Sequence, residues 1–187
     1  MANKYSYYQL RMACQQGMIA SLYTEPEDPD AFVAGYVEAV TPRHVLLWAI
    51  TPWGQPDGWC LRRTEDILQV FMGDDYEVRL QMLLEMEGVT HAPLFAETPA
   101  PEQDLLRCVL QLAAERGQII SLITAEETYT GTLTQVDDLR ASMIPLDFFG
   151  EPEGQRPLTL REVQIVTLDT QEEKMYQRLN RDRLKLL

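Results

Sequence analysis

The chain has 187 residues, room for one ordinary domain or two small ones, and 45% hydrophobic with 24% charged residues is the balance of a folded protein, which excludes a disordered chain. Its net charge is −13, and both halves are acidic: six basic against fourteen acidic residues up to position 100, ten against fifteen after it. Nucleic acids and anionic membranes are bound mainly through Lys and Arg, so this overall field opposes both.

In chain order, the first element is a helix over about 5–16 that carries Leu10, Ala13 and Cys14 and ends at Gly17. Strands follow. Ile19–Thr24 is short and rich in β formers, and Phe32–Val40 alternates with Val33, Gly35 and Val37 on one face. Val45–Ile50 is the third strand. Gly54-Gln-Pro56-Asp-Gly58 has the composition of a turn, with Gly for positive φ and Pro for fixed φ. Ile67–Phe71 is the fourth strand, and Asp74 with Glu77 has the spacing of a capping box for a closing helix that buries Tyr76, Leu80, Leu83 and Leu84 and stops at Gly88. Pro93, Pro99 and Pro101 then frame an extended linker.

The same grammar recurs after it. Gly17-Met-Ile-Ala-Ser21-Leu22-Tyr-Thr24 returns as Gly117-Gln-Ile-Ile-Ser121-Leu122-Ile-Thr124, with Leu110 and Ala113 upstream in place of Leu10 and Ala13. Gly35-Tyr-Val37 returns as Gly131-Thr-Leu133, and Gly54-x-Pro56-x-Gly58 as Gly150-x-Pro152-x-Gly154. Ile67, Leu68 and Val70 pair with Ile165, Val166 and Leu168, and Arg79-Leu80 with Arg178-Leu179. Thr170 with Glu173 repeats the capping-box spacing. Conserved order with nearly constant gaps means duplicated domains. The expected division is a first module over 1–92, a Pro-rich linker over 93–102 and a second module over 103–187, with the strand count per module left at four or five.

A helix followed by four or five short, bent strands resembles the Sm-like branch of the SH3-like barrels. Gly131-x-Leu133-x-x-Val136-Asp137 resembles the first Sm signature, and Leu61–Val70 has the place of the second. The resemblance implies a mainly β (α+β) fold of two tandem small barrels, each flanked by an N-terminal and a C-terminal helix, forming an intramolecular pseudo-dimer. It also implies an RNA site whose contact residues are missing. Arg140-Ala141 and His44-Val45 stand where such proteins have Met-Asn, Thr41 replaces the Asp in the first copy, and Arg63-Thr64 and Arg161-Glu162 are the nearest substitutes for the Arg-Gly pair.

Residues that carry chemistry are sparse. His44 and His91 have no Cys or His partner at ligand spacing, so no metal is expected. Ser21 and Ser121 lie mid-strand, outside any Gly-x-Ser-x-Gly elbow. Asp74-Asp75 and Asp137-Asp138 are accounted for by a cap and a turn, the acidic stretch Glu25–Asp30 reads as a solvated loop, and no glycine-rich phosphate loop occurs, so no cofactor is expected. Cys14, Cys60 and Cys108 lack Cys-x-x-Cys spacing, which implies free thiols in a reducing compartment, and the amino terminus has no apolar run of signal-peptide length; a cytoplasmic protein without disulfides is expected.

Two surface features remain. Trp53, Trp59, Phe148 and Phe149 gather near the two Gly-Pro-Gly turns as a candidate partner-binding aromatic cluster, with Trp48 expected in the core. Arg43, Arg62, Arg63, Arg140, Arg156 and Arg161 form a candidate RNA strip, while the basic end of the last helix (Arg178, Arg181, Arg183, Lys185) complements the helix dipole. The favoured expectation is a non-enzymatic binding or scaffold protein with a protein partner or self-association. The alternative is an Sm-like RNA-associated regulator, and third comes a hydrolase with a site between the modules.

Overall fold

A computed structural model of the protein describes residues 4–28 and 31–183. Asp30 of the acidic loop, Lys185 and the side chain of Arg183 lie outside the described residues. Contacts divide the chain into two units, Met1–Leu105 and Leu106–Leu187.

The first unit runs α1 (Lys4–Gln16), β1 (Ile19–Tyr23), β2 (Phe32–Val40), β3 (His44–Ile50), β4 (Pro56–Arg63), a single 3-10 turn (Thr64–Asp66), β5 (Gln69–Met72) and α2 (Asp75–Met86). Its strands are antiparallel in the order β5-β1-β2-β3-β4. Strand alternation splits the apolar residues between two faces. Ala20, Leu22, Val37, Val45, Leu47 and Val70 meet Leu10 and Ala13 of α1 on one face. Ile19, Ala34, Trp48 and Ile50 meet Leu80 and Leu84 of α2 on the other. Each fully buried leucine here contributes about 2 kcal/mol of apolar burial. Tyr23, Phe32, Phe71 and Tyr76 add ring contacts at 4.9–5.3 Å that tie the β1–β5 edge to α2.

The second unit repeats this plan with α3 (Leu105–Arg116), β6 (Ile119–Ile123), β7 (Thr128–Val136), β8 (Arg140–Pro145), β9 (Arg156–Thr159), β10 (Ile165–Leu168) and α4 (Gln171–Arg183), in strand order β10-β6-β7-β8-β9. In α3, Leu106, Val109, Leu110 and Ala113 fall at i, i+3, i+4 and i+7 and form a buried stripe. Among the described residues the fold is therefore mainly β with four α-helices, and each unit has five strands. Closed barrels are not what forms: among the described residues no pairing joins β4 to β5 or β9 to β10, so each unit's sheet is open.

Hydrogen bonds correct three details of the repeat. From β2 onward the copies match at a constant offset of 96. Gly54 and Gly150 accept the same place in the turn, donating to Thr51 and Asp147, and Leu68 and Gln164 donate to Tyr23 and Ile123. Val70 therefore matches Val166 rather than Leu168, and Leu83, not Leu80, matches Leu179. The first copy is longer only in the loop after β1. The Gly-x-Pro-x-Gly segments are not turns throughout either: the turn is Thr51–Gln55, and Pro56 already opens β4. The linker, finally, is not a free spacer. Leu94 is 2% exposed, and residues 91–95 pack on the first unit through contacts with Tyr36, Glu38 and Trp48.

Candidate functional site

The predicted aromatic cluster resolves into two matched hairpin tips and one tethered ring. Trp53 is 74% exposed at the β3–β4 turn, and Phe148 and Phe149 are 81% and 71% exposed at the β8–β9 turn. Both turns are built alike. The side-chain oxygen of Thr51 accepts from the backbone N–H of Gln55 (3.1 Å), and Asp147 Oδ1 accepts from that of Glu151 (2.7 Å). Gly54 (φ +75°) and Gly150 (φ +77°) follow the aromatic residue, and added methyls there would strike Leu83 and Leu179 of the closing helices. Each tip is thus a hydrogen-bonded turn seated on a helix, and it holds an aromatic ring in solvent. Phe148 and Phe149 meet edge to face with centroids 5.5 Å apart.

Trp59 leaves the cluster because its indole N–H donates to Glu38 Oε2 at 2.8 Å. Glu38 is the residue that sequence reasoning missed. It sits at the register shift of β2 between Val37 and Ala39, and a bulge of this kind re-aims a side chain. It is buried, and its Oε1 accepts from the backbone N–H groups of Leu94 and of Phe95 (3.4 Å). The only signal available in sequence is an acidic residue in an otherwise apolar strand.

The arginines do not make one strip within either unit. Arg62 and Arg63 are neighbours in β4 and point to opposite sides, with Arg62 reaching Thr24 Oγ1 at 3.3 Å. Arg140 and Arg161 are exposed at the start of β8 and after β9. Arg156 pairs with Glu153 at 3.3 Å and lies over the Tyr129 ring. Arg43 lines a cleft of about 250 Å³ with Thr41, His44 and residues 101–105. In that cleft burial pushes the His44 pKa down, against Asp104 and with help from Arg63 and Arg43, and its Nδ1 is buried without a hydrogen-bond partner.

The Asp of the first signature holds a turn. Asp137 Oδ1 accepts from the backbone of Leu139 and Arg140, both at 2.8 Å, and these bonds hold its carboxyl below the usual range. Thr41 Oγ1 does the same for His44 (3.0 Å). The two serines turn out to be anchor points for the closing helices. Buried Ser21 and Ser121 donate to Glu77 and Glu173, the capping-box glutamates of α2 and α4. Fully hydrogen-bonded and inaccessible, they offer no nucleophile to solvent.

Cys14, Cys60 and Cys108 form no disulfide among the described residues. Cys14 Sγ lies 3.5 Å from the Glu38 carbonyl, and burial first, then the Glu38 charge, push its pKa up against the pull of Arg11. Less thiolate at a given pH means slower alkylation, so native Cys14 is expected to react on the order of tenfold more slowly at pH 8 than in urea. Mass-spectrometric footprinting with iodoacetamide checks this; equal native and unfolded rates contradict it. Among the described residues no three His, Cys, Asp or Glu side chains gather as a metal-binding group, and no helix is long and apolar enough to cross a membrane. Comparisons with protein-family models, curated proteins and solved structures return no match for this chain.

Proposed function

We propose that the protein is a non-enzymatic binding or scaffold protein built from two Sm-like modules, and that it engages a protein partner through its aromatic hairpin tips. The observation that carries this reading is the matched exposure of Trp53 and of Phe148–Phe149 on turns of the same construction in both copies. A large apolar ring held in water by a rigid turn has no role in the folding of its own unit, whereas it is the kind of anchor that a partner's pocket desolvates. Asp147, Glu151 and Glu153 around the second tip favour a pocket with a basic rim. The Sm-like assignment rests on the helix followed by five short strands in each unit and on the Gly131–Asp137 segment.

The alternative RNA-associated regulator finds little support: the net charge is −13 and the arginines of a unit point different ways. A hydrolase finds less, since both strand serines are buried against helix glutamates. The test is affinity capture with tagged full-length protein, wild type against the triple variant Trp53→Ser, Phe148→Ser, Phe149→Ser. The variant is expected to melt with the wild type and to lose its partner on the order of tenfold or more. An unchanged set of captured proteins contradicts the proposal.

A further inference from the structure

Residues 91–95 are held by their own chain through main-chain groups, beside Tyr36, Glu38, Trp48 and Trp59 of the first unit. The contacts are those of a ligand rather than of a secondary-structure element. His91-Ala-Pro-Leu-Phe95 belongs to no helix or strand. Its imidazole stacks on the Tyr36 ring (centroids 5.3 Å, interplanar 10°) and packs on Trp48 at 5.2 Å. Pro93 presets the backbone before the buried Leu94. The consecutive N–H groups of Leu94 and Phe95 then converge on one carboxylate oxygen of Glu38, while the other oxygen takes the Trp59 indole and faces His91 Nε2 at 3.5 Å. Paired backbone amides converging on a single anion are a recurring mode of peptide recognition.

The second copy shows which of these residues the fold itself requires. At the constant offset of 96, Tyr36, Glu38, Trp48 and Trp59 become Thr132, Thr134, Ile144 and Gln155. The geometry persists: Gln155 Nε2 donates to Thr134 Oγ1 at 3.1 Å, the counterpart of Trp59 on Glu38, and β7 has its register shift at the same point as β2. The aromatic rings and the carboxylate do not persist. A unit of this fold therefore forms without them, and in the first unit they are available for recognition.

We infer that the groove of Tyr36, Glu38, Trp48 and Trp59 is a peptide-docking site kept occupied by residues 91–95, and that its trans ligand is a segment of the same chemistry: a planar ring, then a bend at which an aliphatic side chain is buried and two consecutive backbone amides turn to the Glu38 carboxylate. The inference does not depend on the hairpin tips. A tethered occupant acts at a high effective concentration, so the site is masked until that segment is displaced.

The test is fluorescence anisotropy with a labelled synthetic peptide of residues 88–97, titrated with three full-length proteins. These are the wild type, a chain in which 91–95 is Gly-Ser-Gly-Ser-Gly, and that chain with Glu38→Gln added. The replaced chain is expected to bind saturably, the wild type on the order of tenfold more weakly, and the Glu38→Gln form again on the order of tenfold more weakly than the replaced chain. No saturable binding by a folded replaced chain, or binding indifferent to Glu38→Gln, overturns the inference. If the replaced chain does not fold, the single variant Leu94→Ala takes its place in the titration; should that also fail to fold, residues 91–95 are part of the core and the inference is wrong.

Discussion

Gly131→Ala is expected to lower the unfolding free energy by about 3 kcal/mol or more, and the melting midpoint by roughly 15 °C. A methyl on Gly131 would lie 2.1 Å from the carbonyl oxygen of Ile144 and 2.7 Å from the Cα of Pro145, both backbone atoms of the paired strand β8. Neither can swing away as a side chain can, so the strands must separate where β7 and β8 are paired and the ladder is lost. Gly35→Ala meets the Trp48 carbonyl oxygen at the same 2.1 Å and is expected to behave alike. Gly154→Ala is the control, since nothing lies within 4 Å of a methyl there and its backbone suits any residue; it should melt within a degree or two of wild type. Differential scanning calorimetry of the three variants checks the ordering. A Gly131→Ala protein that melts with the wild type means the strands do not approach this closely. The close approach matters beyond stability, because β3 and β8 lead directly into the two aromatic turns.

These glycines are also why the duplication is legible in the sequence. Gly35 and Gly131 are dictated by backbone contact, and Gly54 and Gly150 by positive φ beside a helix side chain, so they persist while neighbouring residues drift. Apolar residues carry no such constraint. Ile, Val and Leu fill the same core, and a two-residue slip that pairs Ile67–Val70 with Ile165–Leu168 looks as good as the true match of Val70 with Val166. The helices and the strands of each hairpin follow local rules of capping and alternation and are visible for that reason. Whether β4 pairs with β5 depends on groups at the two ends of a sheet, and no local pattern encodes it.

The buried carboxylates illustrate the same limit. Both capping boxes are legible at a spacing of three residues, but the serines that complete them lie 56 and 52 residues away. Glu38 reads as one more polar residue in a strand. Its burial is created by a bulge and by a segment more than fifty residues further along. The exposed rings could be named in advance because their turns could be, whereas Trp59 sits in the same run of sequence and turns out to be tied to Glu38.

Glu173→Ala is the second large effect, expected to cost about 3–4 kcal/mol. The carboxylate of Glu173 is wholly buried and accepts from Ser121 Oγ and Thr167 Oγ1 at 2.6 Å each, from the Thr170 backbone N–H at 2.8 Å and from the Thr170 hydroxyl. Thr167, Ser121 and Thr130 stand side by side across β10, β6 and β7, and Thr130 closes the row at 2.9 Å from Ser121 Oγ. Truncation strands several donors between α4 and the sheet, away from water, at about 1–3 kcal/mol for each one left unsatisfied, with partial relief among the hydroxyls themselves. Glu173→Gln should be far milder, about 1 kcal/mol, because hydroxyls can turn to accept from the new amide while its oxygen still takes the Thr170 N–H. The first unit provides the internal comparison. There the row across β5, β1 and β2 is Phe71, Ser21 and Ala34, leaving Glu77 with the Ser21 hydroxyl and the Asp74 N–H. Glu77→Ala should therefore cost about half as much as Glu173→Ala. Urea unfolding of the three variants gives the order Glu173→Ala, Glu77→Ala, Glu173→Gln from most to least destabilised. If Glu173→Ala is no worse than Glu173→Gln, neither the hydroxyl row nor the capping bond of Glu173 is what holds α4 to its sheet.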